Sequence, residues 1–100
     1  MIFHKFNAVR TEVSGVKFPS KKEARYYEKL LLRQKAGDVL FFLRQVPFHL
    51  PGNVRYVIDF VTFEKNGTVH FIDVKGFKTS EYRMKKRQVE ALFPVEIEEV

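Results

Sequence analysis

Two segments, residues 55–64 and 68–75, are apolar on both faces and are separated by Lys65-Asn66-Gly67. Strand-forming runs around a Gly-containing turn predict a β-hairpin, and strands apolar on both faces require a sheet covered on two sides. The flanking segments supply the cover. Ser20-Lys21-Lys22-Glu23 has the form of a capping box and opens a helix of good helix formers through Lys35, with Gly37 as its stop. Thr79 or Ser80 caps a second helix, which runs to about Leu92 before Pro94. Residues 39–50 read as a strand whose Pro47 implies an edge position or a bulge, and Pro51-Gly52-Asn53 turns the chain. Residues 95–100 return as a last strand, parallel to its neighbour because a crossover helix precedes it. The expected class is α/β, an αβββαβ core with a mixed sheet flanked by helices. Residues 10–18, alternating around Ser14-Gly15, add a short N-terminal hairpin.

A chain of 100 residues without a linker, repeat or low-complexity tract is one domain, here an N-terminal extension and hairpin over 1–19 and a core over 20–100. With 45% apolar and 30% charged residues, it lies far from the composition of disordered chains. There is no cysteine, so disulfides and thiolate zinc sites are excluded, and His4, His49 and His70 are too scattered to suggest a metal cluster. No apolar run approaches the roughly 20 residues of a membrane span, and the first ten residues lack a signal-peptide core. A cytoplasmic protein without a membrane partner is expected. The excess of 18 Lys and Arg over 12 Asp and Glu gives a net charge of +6, which favours a polyanionic partner such as nucleic acid.

The residues that ask for chemistry are Asp59, Asp73 and Lys75, charged groups within otherwise apolar strands. Their relation depends on the turn. A two-residue loop at Asn66-Gly67 places the aspartates on different faces. The expected turn is a three-residue loop, with Gly67 in a left-handed bulge position, which makes them cross-strand neighbours. That register also puts Lys75 on their face and sends Ile58, Phe60, Ile72 and Val74 to the other. Two opposed carboxylates in a buried strand pair need a cation or a shared proton, and oxygen ligands without Cys suit Mg²⁺, with Mn²⁺ as a substitute. The plainer alternative is an inert Asp–Lys ion pair.

Val57-Ile58-Asp59 followed, after a hairpin, by Asp73-Val74-Lys75 resembles the PD-(D/E)xK nuclease superfamily. The order of residues before the first acid departs from the family signature. Glu23 on the first helix and the αβββαβ order extend the likeness over the whole core. Lys5-Phe6-Asn7-Ala8, Thr11-Glu12-Val13, Ser20 to Arg25 and Asp73 to Gly76 further resemble a group of small phage and prophage nucleases. The resemblance implies a restriction-endonuclease-like fold in which Asp59 and Asp73 bind Mg²⁺, the Val74 backbone carbonyl adds a ligand, and Glu23 completes the site directly or through water. It also implies that Lys75 orients or activates the attacking water. For a phage-encoded protein the location is the host cytoplasm.

Glu23 has a competing role as the reciprocal cap of its own helix, bonding the Ser20 amide. Gln45, at a strand end beside Pro47, is expected to satisfy backbone groups there. His49 and His70 are expected at a core edge or in solvent, and the phenylalanines in the core. Lys78, Arg83, Lys85, Lys86 and Arg87 follow the active-site strand and are candidates to line a phosphate backbone, with Lys21, Lys22 and Arg25 beside them. The expected function is therefore metal-dependent hydrolysis of DNA, with branched DNA, a Holliday junction or simple nicking as candidate substrates and a homodimer to address two strands. The alternatives are a non-catalytic basic nucleic-acid-binding domain and an RNA hydrolase using the same residues.

Overall fold

The structure, a computed structural model, describes residues 11–100. Met1 to Arg10, including His4 and the Lys5-Phe6-Asn7-Ala8 stretch, lie outside the described residues. The N-terminal hairpin is present as β1 (Thr11–Val13) and β2 (Val16–Phe18), which pair antiparallel across a turn at Ser14-Gly15. Next comes α1 (Lys21–Ala36). The Ser20 side chain accepts from the Glu23 amide at its start, and Gly37, at φ +89°, closes its end in a left-handed cap. These are the ends that Ser20 and Gly37 mark in the sequence.

The remaining elements build one sheet and its second helix: β3 (Val39–Leu50), β4 (Val54–Glu64), β5 (Val69–Asp73), α2 (Ser80–Leu92) and β6 (Ile97–Glu99). The strand order is β3-β4-β5-β6, antiparallel except for the parallel β5–β6 pair that the α2 crossover imposes. Strand β3 lies at an edge, where Pro47 is tolerated. Strand β5 stops at Asp73 rather than at Lys75, although Lys75 still donates its amide to the Val100 carbonyl at 3.3 Å.

Two apolar cores lie on opposite faces of this sheet. One joins Ala24 and Leu30 of α1 with Phe18, Phe60, Ile72 and Val74. The other joins Tyr82 and Val89 of α2 with Leu50, Tyr56, Ile58, Val61 and Ile97. Regular alternation would send Ile58 to the same side as Phe60, as expected from the sequence, but Ile58 packs on the α2 side. The phase of β4 therefore changes at Asp59. The facing strand changes phase at the same level: Arg44 lies over the Phe18 and Tyr27 rings, whereas Val46 and Phe48 pack on the α2 side. Between them Gln45 takes the left-handed conformation, φ +53°, while the pairs Arg44–Phe60 and Val46–Ile58 hold one register on either side. Both strands thus reverse their inward and outward faces at Gln45 and Asp59, where the candidate chemistry sits.

Candidate active site

The turn at Lys65-Asn66-Gly67 decides the site. Gly67 has φ +89°, and Glu64 and Thr68 close the loop with a backbone bond of 2.9 Å, leaving Lys65, Asn66 and Gly67 as its three residues. The β4–β5 register pairs Phe60 with Ile72, Val61 with Phe71, Thr62 with His70 and Phe63 with Val69, and the ladder ends there, with Asp59 and Asp73 as the next residue on each strand. Their carboxylates are interlocked with the backbone. The Asp59 amide donates to Asp73 Oδ1 at 3.2 Å, and the Val74 amide donates to Asp59 Oδ2 at 2.9 Å. Asp73 is fully buried, Asp59 nearly so, and Asp73 Oδ2 is buried without a hydrogen-bond partner.

Glu23 joins the pair from α1. It is 5% exposed, and its carboxylate accepts from Gln45 Nε2 at 3.5 Å rather than reaching back to Ser20. The same Gln45 amide donates to Asp59 Oδ1 at 3.3 Å, so one side chain bridges two acids on different elements. The expectation that Gln45 would serve strand-end backbone is overturned, and the left-handed backbone of Gln45 is the physical reason: it departs from the strand's regular alternation and aims the amide at the acids. Burial and the neighbouring Asp59 charge raise the Glu23 carboxyl to about 7, against the opposing pull of Arg44 and Lys75. Burial also raises Asp73, with Lys75 pulling the other way.

Lys75 stands at the mouth of this group. Its Nζ lies 4.9 Å from the centroid of the Tyr82 ring, a cation–π contact that places an ammonium within the electrostatic reach of both Asp73 and Glu23. Lys22 Nζ donates to the Lys75 carbonyl at 3.0 Å and ties α1 to the chain leaving β5. Among the described residues no three His, Cys, Asp or Glu side chains form a metal-holding group as they stand. The donor set nevertheless suits a hard cation, since a buried carboxylate oxygen without a donor and two further carboxylates in line through Gln45 are groups that positive charge would satisfy.

Three residues not anticipated from the sequence belong to this region. Arg44 contributes positive charge from beneath Glu23, with its Nε buried and without a partner. Glu99 pairs with Asp73 across the parallel β5–β6 ladder, and the Tyr82 hydroxyl donates to Glu99 Oε2 at 2.7 Å. A parallel register has no turn to announce it, so the Asp73–Glu99 relation carries no local sequence signal.

The basic residues divide. Lys78 and Lys86 hold Glu99, and Lys85 pairs with Glu81 one turn away at 3.9 Å. Arg83 and Arg87 are exposed and line an open cleft with Lys78, Lys86, Glu90 and Glu99. Lys21, Lys22 and Arg25 are exposed at the start of α1. His70 faces Thr62, as the register requires, and its Nδ1 contacts Glu98; His49 is exposed on β3. The phenylalanines are mostly packed, but Phe77 is 82% exposed beside the site strand. A family model described as "Protein of unknown function (DUF1064)" matches residues 3–98. The chain belongs to the DUF1064 family. No curated protein and no solved structure matches it. The DUF1064 match spans both helices and β1 to β5, and ends at residue 98, within β6. No helix among the described residues is long and apolar enough to cross a membrane.

Proposed function

We propose that the protein is a metal-dependent nuclease that hydrolyses phosphodiester bonds of DNA. The observation that carries this proposal is the interlocked Asp59–Asp73 pair, with a buried, donor-less oxygen on Asp73. Proteins rarely keep two adjacent carboxylates in a buried sheet for stability, because both burial and mutual repulsion oppose it. A buried carboxyl whose ionisation burial opposes, as at Asp73, with a lysine alongside, is a feature that concentrates at catalytic sites. Asp59, Asp73 and the Val74 carbonyl would hold Mg²⁺ or Mn²⁺, with Glu23 completing the set. When bound, the ion supplies Lewis-acid stabilisation of phosphoryl charge and a more acidic water.

The chain's own residues have separate tasks. Lys75, held over Tyr82, presents positive charge to the phosphoryl oxygens, where charge accumulates during displacement. Glu23, whose carboxyl burial and the Asp59 charge raise to about 7 in the metal-free protein, is a group whose charge a cation would stabilise, and Gln45 holds it in line with Asp59. Exposed cations of α1 and α2 offer contacts to a nucleic-acid backbone without reading its sequence. So small a domain has little surface left for a long recognition site, so branched DNA or nicking is the substrate class we favour, with a homodimer to serve two strands.

The deciding experiment incubates the purified protein with supercoiled plasmid and with a labelled four-way junction, in Mg²⁺ and in chelator, beside Asp73→Ala. Cutting that needs Mg²⁺ and disappears in Asp73→Ala is the expected result. Absence of cutting on both substrates, with binding retained, would replace the enzyme with a nucleic-acid-binding domain. Cleavage of RNA but not DNA would assign the same chemistry to another polymer.

A further inference from the structure

Glu99 is held by three donors. The Tyr82 hydroxyl lies 2.7 Å from its Oε2, Lys78 Nζ 3.1 Å from its Oε1, and Lys86 Nζ 3.5 Å from its Oε2. Tyr82 and Lys86 are one turn apart on α2, and Lys78 comes from the segment leading into that helix. Two ammonium groups and a hydroxyl therefore converge on a pair of oxygens sharing one negative charge. The hydrogen bonds from Tyr82 and Lys78 draw the Glu99 carboxyl down to about 2.

The surroundings of this carboxylate are unbalanced. The open cleft beside it is lined by Lys78, Arg83, Lys86, Arg87 and Glu90. Glu90 is engaged elsewhere, because its Oε2 accepts the Ile97 amide at 2.8 Å. Arg83 and Arg87 are exposed and form no ion pair among the described residues. Four cations thus share the cleft with two carboxylates, Glu90 and Glu99, a surplus of positive charge, and Glu99 is the one that the lysines hold. The β5–β6 ladder pairs Glu99 with Asp73, so the cleft adjoins the acid pair rather than lying on a remote surface.

We propose that Lys78, Arg83, Lys86 and Arg87 form a binding site for a phosphodiester of a nucleic-acid backbone, and that Glu99 is an internal competitor for the same donors. This rests on the nuclease reading for the nature of the polymer and extends it to the contact next to the acid pair. A phosphodiester, like a carboxylate, spreads one negative charge over two oxygens, so it can replace Glu99 on the two lysines and engage the two arginines as well. A polymer adds release of its counterions, which a free carboxylate ligand lacks. Glu99 holds the lysines in place and sets a threshold that a polyanion passes far more readily than a single phosphate ion does.

The test measures binding of a fluorescent DNA duplex by anisotropy, in chelator so that no cutting intervenes, across a salt series. Glu99→Gln is expected to tighten binding by about 5- to 10-fold, well beyond the exposed control Glu96→Gln, which makes the same charge change. Glu99→Asp keeps the charge but shortens the reach, and is expected to tighten binding by about 2-fold; it carries the test if Glu99→Gln does not fold. Lys78→Ala with Lys86→Ala should weaken binding and lower the salt slope by about two. At equal ionic strength, inorganic phosphate should displace more of the duplex than chloride does.

Equal effects of Glu99→Gln and Glu96→Gln, no change in Glu99→Asp, or equal displacement by phosphate and chloride would each overturn the proposal. Plasmid cutting in Mg²⁺ separates the two proposals. Retained wild-type cutting without the Glu99 effect ends this one alone, and the Glu99 effect without any cutting ends the catalytic one alone.

Discussion

Gln45 and Glu23 show how much of the candidate site depends on single side chains. Gln45 occupies φ +53°, a conformation costing of order 1 kcal/mol for a residue with a Cβ, and its amide bridges Glu23 and Asp59. Gln45→Gly is expected to relieve that backbone strain while cutting activity falls by at least about 10-fold; thermal melts and plasmid nicking read the two effects separately. Glu23 is the opposite case, a group whose ionisation opposes folding. Its folded pKa, about 7, lies above the ordinary carboxyl value of 4.5, so the stability it contributes is present below 4.5 and is lost as pH rises through 7. Glu23→Gln should therefore stabilise the protein by about 1–3 kcal/mol at roughly pH 8 in chelator, measured by denaturant unfolding, and lose activity in Mg²⁺.

At the scale of elements, the helix ends and the sheet's far corner follow local rules. Ser20 accepts the Glu23 amide, and Ser20→Ala should cost about 1 kcal/mol in unfolding free energy. Because this cap also fixes the first turn that carries Glu23, activity should fall with it. Arg33 of α1 grips Glu64 at the end of β4 through two bonds, 3.2 and 2.6 Å, and holds the Glu64 carboxyl below the usual range. The bidentate geometry and the limited exposure of Glu64 lift this pair above an ordinary surface ion pair. Arg33→Ala should loosen α1 against the hairpin and destabilise the fold by about 1–2 kcal/mol in a denaturant titration.

For the molecule as a whole, these carboxylates act in opposite pH windows. Glu64 and Glu99 have lowered folded pKa values, Glu99 at about 2, so their stabilisation is present above the ordinary carboxyl value of 4.5 and lost as pH falls through the folded values. Glu23 loses its contribution on the alkaline side, between 4.5 and about 7. Melting temperature in chelator should therefore peak near about pH 5. Mg²⁺ should raise it most on the alkaline flank, where the acids are charged, with an effect that grows once its concentration exceeds the dissociation constant for the ion. A flat profile, or the same Mg²⁺ response in Asp73→Ala, would argue against a cation on the acid pair.

Much of this protein was legible in the amino-acid sequence because its signals are local. Ser20, Gly37, Pro47, Thr79 and Gly67 mark ends and turns through their own backbone preferences, and Gly67 in the left-handed bulge sets the register that faces Asp59 toward Asp73. Local preference could not reach the change of phase at Gln45 and Asp59, which moves Ile58 to the α2 core, because it depends on how two strands accommodate each other between helices. Nor could it place Glu99 beside Asp73, since α2 intervenes in the chain and a parallel pair has no connecting turn to set its alignment, or Lys75 over Tyr82, which depends on how α2 packs on the sheet. Short-range sterics therefore determined the elements and the acid pair, while packing across the sheet decided which side chains surround that pair.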